Sequence, residues 1–196
     1  MKRLTAKERE EKKKQILISA QRIIMENNED FTVSALVKSL GWAKGTFFLY
    51  YKSKDELLVD VLNQFLGKLK FELKKTLNSE KPIEITLYET TYILLDYFKE
   101  KRKILSYFEK QDLNVPIKKK FRKKFAEIIS ILVSIVNKAK KKEKLEIHDS
   151  FFFASVFFGM CRGSNIYENS KRNKLSVEEK ARFISNIFIK GLRSDK

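Results

Sequence analysis

Cysteine occurs once in the 196 residues, at Cys161, so no disulfide can form within the chain and a reducing compartment is expected. Histidine also occurs once, at His148. One His and one Cys give no cluster at metal-ligand spacing. Neither a GxGxxG, a P-loop nor a GxSxG pattern is present, so nothing points to an enzyme, a metal or a cofactor. Proline occurs twice and glycine six times. That is too little punctuation for a strand-rich fold, whose turns draw on Gly, Pro, Asn and Asp, and long helices are expected instead. The longest apolar stretches, 151–161 and 128–136, fall short of the roughly 20 residues that cross a bilayer. The opening MKRLTAKEREEKKKQ lacks the apolar core of a secretory signal, so a cytoplasmic chain without stable membrane insertion is expected.

What is present is a large apolar fraction, 43%, and a formal net charge of +17. The first supports a packed core. The second suits a polyanionic partner, either nucleic acid or an anionic membrane surface, although a lysine-rich proteome also produces it. The charge is uneven. Residues 1–55 hold twelve Lys/Arg and seven Asp/Glu, net +5, whereas 116–144 hold eleven Lys/Arg and two Glu, net +9. The second stretch is backed by Phe121, Phe125, Ile128, Ile129 and Leu132. It reads as a solvated helix, a membrane-surface helix or the greeting face for an anionic effector such as an acyl-CoA.

Helical periodicity runs through the whole chain. Ile16, Leu17, Ala20, Ile23 and Ile24 form one stripe of a first helix over about 5–27. Phe31 follows the break and is expected to pack back. Thr32 suits an N-cap for a second helix over 33–40, and Gly41 suits its left-handed end. A short basic helix over about 44–50 comes next. Ser53-x-x-Glu56 is a capping box opening a fourth helix that runs to about residue 77. Further helices are expected over 83–100, 102–111, 116–142, 148–169 and 176–193, about nine in all.

Two short helices joined by a tight glycine turn form a helix-turn-helix pattern, whose second helix enters the major groove. Here that helix reads Lys44-Gly45-Thr46-Phe47-Phe48-Leu49-Tyr50. Gly45 lets the backbone approach DNA, and Thr46 can reach a base or a phosphate. Phe47 reads as core.

The stretch TVSALVKSLGWAKGTFFLYYKSKDELL, from Thr32 to Leu58, resembles the DNA-binding signature of the tetracycline-repressor (TetR) family. The resemblance implies an all-α chain with a three-helix DNA-binding head (1–52) and a helical effector-binding and dimerisation body (53–196). It implies DNA contacts from Thr32, Lys44, Gly45, Thr46, Phe48, Tyr50, Lys52 and Lys54. It departs from the family pattern where Phe48 replaces Tyr, Trp42 a small aliphatic residue and Ala43 a Ser, while Leu49 fills an often polar position. Those changes bear on which operator is read, and Phe48 and Leu49 can pack against thymine methyl groups. The basic residues Lys2, Arg3, Lys7 and Arg9 read as a DNA-reaching arm or, with Glu8, Glu10 and Glu11 among them, as an ordinary exposed helix.

In the body, Val177, Ala181, Ile184, Phe188 and Leu192 recur every three or four residues as an apolar stripe, which Phe183, Ile187 and Ile189 widen. The preceding helix is apolar almost all round, with Gly159 and Gly163 permitting close approach. The resemblance implies that these last two helices form a four-helix bundle with their symmetry mates, through Phe157, Gly163, Val177, Ala181, Ile184, Phe188 and Leu192. Such a homodimer presents two recognition helices to a pseudopalindromic operator in double-stranded DNA, about 34 Å or a little more apart. The many aromatic residues of the body suit a pocket for a small apolar or amphipathic effector, with Tyr92, Phe121 and Phe152 as its expected lining. The function so read is a sequence-specific transcription regulator, a repressor that the effector releases. The competing reading is a non-specific basic protein that binds nucleic acid or anionic membrane, with steep salt dependence.

Overall fold

The computed structural model describes residues 5–27, 31–110, 115–168 and 175–193. Among them the chain forms nine α-helices and no strand, the all-α class expected. They are α1 Ala6–Asn27, α2 Val33–Ser39, α3 Lys44–Phe48, α4 Lys54–Asn78, α5 Ile83–Glu100, α6 Arg102–Lys110, α7 Val115–Glu143, α8 Ser150–Glu168 and α9 Val177–Arg193. Contacts gather into two compact units, residues 1–65 with 103–121, and residues 66–102 with 122–196.

The first unit takes its core from the stripe of α1, where Ile16, Ala20, Ile23 and Ile24 are buried and Leu17 is half-buried. Ser39 donates to the Leu36 carbonyl at 2.8 Å, so its oxygen accepts the Ser19 proton at 2.7 Å and ties α2 to α1. Lys13 pairs with Asp60 at 3.0 Å and Gln21 donates to Gln64 at 2.9 Å, joining α1 to the first half of α4. Ser53 caps α4 as expected, accepting from Glu56 N–H at 3.1 Å. Glu56 reaches back one residue further than the usual box and accepts from Lys52 N–H at 2.6 Å. Two more capping boxes went unnoticed in the sequence although their Ser/Thr-x-x-Glu spacing is plain. Thr5 with Glu8 opens α1, and Ser176 with Glu179 opens α9.

The second unit is built around α5, which packs along α9 and, less extensively, α8. Its inward face carries Thr86, Thr90 and Thr91, buried hydroxyls that donate to the carbonyls of Lys81, Thr86 and Leu87. Those bonds to nearby backbone carbonyls let polar residues sit in an apolar contact with their hydroxyls satisfied. Phe98 meets Phe158 edge-on at 5.7 Å, and Phe188 of α9 receives Phe153 and Phe157 of α8 at 4.9 and 5.1 Å.

Part of the strongest run of positive charge has a structural task. Lys138 donates to the carbonyls of Leu77 and Ser79 at 3.1 and 2.7 Å and pairs with Glu80 at 2.6 Å. Lys142 donates to the Glu80 carbonyl, and Lys140 to that of Ile147. A helix end leaves carbonyls unpaired and carries partial negative charge, so cations there satisfy both. Lys138→Met is therefore expected to destabilise the chain by about 1–2 kcal/mol, the net worth of a charged hydrogen-bond donor. Thermal unfolding followed by circular dichroism measures it, and an unchanged midpoint would contradict the capping role.

Candidate nucleic-acid interface

The geometry of α2, the turn and α3 follows from four residues. Thr32 stands in extended backbone just before α2 and accepts from Ala35 N–H at 3.1 Å. Gly41 takes φ +67°, where a side chain costs about 1–2 kcal/mol, and its N–H bonds the Lys38 carbonyl at 3.1 Å. Trp42 N–H then bonds the Val37 carbonyl at 2.9 Å. Ala43 opens α3 without a capping side chain.

The second helix is shorter than the sequence implies. It ends at Phe48, not Tyr50. Leu49 N–H bonds Thr46 and Tyr50 N–H bonds Phe47, the tighter three-residue spacing that closes a helix. The closure sends Tyr51 inward, where it stacks on Phe47 at 5.8 Å, and both are fully buried. Outward stand Lys44, Gly45, Phe48, Leu49 and Lys52, with Thr32 exposed at the start of α2 and Thr46 and Tyr50 half-buried.

The first half of α1 braces this surface. Arg9 Nη2 donates to the Leu49 carbonyl at 3.2 Å. Lys12 lies 4.6 Å above the Trp42 ring, which stands 6.3 Å from the Tyr50 ring. Arg9 thus has a structural partner, and Lys7 is exposed. Lys2 and Arg3 lie outside the described residues.

Lys54 is differently placed from Lys52. Its ammonium lies 5.6 Å from the Phe31 ring and 5.8 Å from the Tyr107 ring, and partial burial lowers its pKa while Asp55 opposes the shift. Phe31 meets Tyr107 edge-on at 6.3 Å, so these side chains bring α6 against the loop before α2. Burial, helped by Asp55, pushes the Tyr107 hydroxyl up to about 12. The two lysines separate in one measurement. Lys52→Met is expected to flatten the slope of log binding constant against log salt by about 0.9, one phosphate contact. Lys54→Met is expected to leave that slope unchanged and to lower thermal stability instead. Equal slope changes for both would show Lys54 on the phosphate.

Residues 16–61 match the family model described as bacterial regulatory proteins, tetR family. The match spans the later part of α1, α2, the glycine turn, α3 and the start of α4. Over that stretch the chain matches the tetR family. Along its length it is 22% identical, over 93% of this chain and 96% of the relative, to the uncharacterised HTH-type transcriptional regulator YvaF of Bacillus subtilis (strain 168). It is 23% identical to the fatty acid metabolism regulator protein of the same organism, over 72% of this chain and 76% of that one. Among solved structures it resembles the regulator FadR from Bacillus subtilis in complex with stearoyl-CoA, with a TM-score of 0.77, 17% identity and coverage of 92% and 99%.

In the second unit, Tyr92 lines a cleft of about 470 Å³. The lining is more polar than the aromatic pocket expected, with Glu72, Lys75, Lys81, Glu89 and Glu178 beside Tyr88 and Ile93. The charges of Asp96 and Glu178 raise the pKa of the Tyr92 hydroxyl. Neither other expected lining residue is on this cleft. Phe152 is 68% exposed on α8, and Phe121 belongs to the first unit, where it is buried 4.8 Å from the Phe108 ring. An aromatic residue on an apolar helix shows in sequence, but the face it occupies does not.

The residues expected on the dimer face differ in exposure. Phe157, Val177, Ala181, Ile184 and Phe188 are buried within the single chain, because α9 spends that stripe on α5 and α8. Leu192 is half-buried and Gly163 is exposed. The apolar surface left open lies beside the stripe: Phe152 and Val156 on α8, Phe183 and Ile187 on α9. Phe152, Val156, Gly159 and Gly163 follow at spacings of four, three and four, and so share one face.

The buried Cys161 thiol is pushed up by burial, away from the thiolate that nucleophilic chemistry needs. Among the described residues no group of His, Cys, Asp and Glu is placed to hold a metal ion, and no helix is long and apolar enough to cross a membrane.

Proposed function

We propose that this chain is a sequence-specific DNA-binding transcription repressor, working as a homodimer in the cytoplasm and released from a pseudopalindromic operator by an amphipathic effector. The observation that carries the reading is the braced outward surface of α3, with Lys44, Gly45 and Thr46 at its leading edge and Lys52 beyond it. Residues 1–52 serve as the head and 53–196 as the body. Phe152, Val156, Gly159 and Gly163 of α8, with Phe183 and Ile187 of α9, pair with the same residues of a second copy. The glycines support this: a Cβ on Gly159 or Gly163 would meet nothing within 4 Å, so the chain itself has no need of their smallness, whereas a closely approaching helix does.

The effector is a long-chain acyl-CoA or a molecule of that character. Two observations support this: relatives named for fatty acid metabolism, one solved with stearoyl-CoA, and the exposed Lys118, Lys119 and Lys120 of α7, which suit a polyphosphate headgroup. Effector binding shifts a two-state equilibrium, and release needs a differential affinity of a few kcal/mol between the states. The test is fluorescence anisotropy on labelled DNA from upstream of the gene, titrated afterwards with stearoyl-CoA. Release by stearoyl-CoA but not by free CoA supports the class. Retention with both removes it.

A further inference from the structure

We propose that Phe48 and Leu49 read the C5-methyl groups of thymines, so that each half-site is specified in part by apolar contact. The inference rests on the DNA-binding reading above and adds the feature of the base edge that is recognised.

Phe48 is 52% exposed and Leu49 is 57% exposed, at the end of a helix whose outward side also carries Lys44 and Gly45. Phe48 lies three residues after Gly45 and four after Lys44, and Leu49 four after Gly45, so the apolar and basic groups share that side. Both apolar residues are fixed from behind. The Phe48 ring stands edge-on to the buried Phe47 at 5.2 Å, and Arg9 holds the Leu49 carbonyl at 3.2 Å. The Phe48 ring and the Leu49 backbone are thus anchored to the head.

Gly45 supplies an independent observation. A Cβ built there would meet nothing within 4 Å, and its backbone is ordinary helix. Glycine inside a helix costs about 0.5–1 kcal/mol against alanine. The space beside Phe48 and Leu49 is therefore open to a partner outside the chain. The neighbouring Lys44 and Lys52 make that partner anionic, and the helix-turn-helix makes it the major groove.

Phenylalanine and leucine side chains neither donate nor accept hydrogen bonds. Of the features that the four natural bases present in the major groove, only the thymine methyl is apolar. The chemistry therefore selects thymine under these two residues.

Uracil tests this directly, since it differs from thymine only in lacking the methyl. The operator is first selected from genomic fragments by the full-length protein. Each thymine is then replaced singly by uracil, and anisotropy gives the affinity ratio. One or two positions per half-site are expected to lose about fourfold, the effect of unburying one methyl-sized group, with other positions silent. At those positions Phe48→Ala or Leu49→Ala brings the thymine-to-uracil ratio to about one, while Leu49→Met keeps it near wild type. Ratios of one at every position in the wild type, or ratios that survive both alanine substitutions, overturn the proposal while leaving specific DNA binding intact. No selected duplex binding better than scrambled DNA would sink the DNA-binding reading and this one together.

Discussion

Phe183→Glu combined with Ile187→Glu yields a folded monomer that no longer holds its operator. Both residues lie on the outer side of α9, Phe183 being 66% exposed and Ile187 43%. Charge there meets water in the single chain, so helix content and thermal midpoint are expected to stay near wild type. In a dimer the same charges are buried against an apolar partner, at a cost of several kcal/mol that association cannot absorb. Light scattering is expected to give 23.2 kDa, the mass of one chain. A single head has only one half-site, and operator affinity is expected to fall by roughly a hundredfold or more, towards the non-specific range. Ala181→Glu is the control. Ala181 is fully buried within the chain, so charge there is expected to unfold the second unit outright. A double variant that remains dimeric would move the interface elsewhere.

Gly45→Ala moves stability and function in opposite directions. The substitution removes about 0.5–1 kcal/mol of helix penalty and meets no neighbour, so the melting temperature rises by roughly 1–4 °C for a chain of this size. The new methyl fills the space through which α3 approaches DNA. Operator affinity is expected to fall tenfold or more, about 1.4 kcal/mol. Few substitutions separate the two readouts so cleanly. A rise in stability with unchanged affinity would show that the DNA does not come close at Gly45, and would weaken the case for Phe48 and Leu49 as well.

The helices were legible because their signals are local. Thr32, Gly41 and Ser53 act on backbone groups within four residues, so spacing alone locates each boundary. The end of α3 was misread by two residues because Leu49 and Tyr50 continue the helical pattern, while the turn that closes it serves the distant packing of Tyr51 on Phe47. Periodicity showed that α9 buries a stripe, but not what covers it. The stripe of Val177, Ala181, Ile184 and Phe188 went to α5 and α8, and the surface beside it remained open. Long-range partners were hidden for the same reason. Nothing near Lys138 in sequence announces the carbonyls of Leu77 and Ser79, and nothing near Lys54 announces Tyr107.

The charge distribution is also clearer for this. The basic stretch over 116–144 carries more net charge than the head, yet its Lys138, Lys140 and Lys142 are held by backbone carbonyls. On the proposed reading the head needs less charge, because α3 supplies the specificity and phosphate contacts only set its position.

The central claim is tested most directly by anisotropy of the purified full-length protein on upstream DNA and on genome-selected fragments, with scrambled DNA as control at near-physiological salt. Nanomolar binding to one of these duplexes is expected, with at least about a hundredfold weaker binding to scrambled DNA and loss of the difference in Lys44→Ala. Equal binding to every duplex, falling steeply with salt and indifferent to Lys44→Ala, would contradict it and leave a non-specific basic protein.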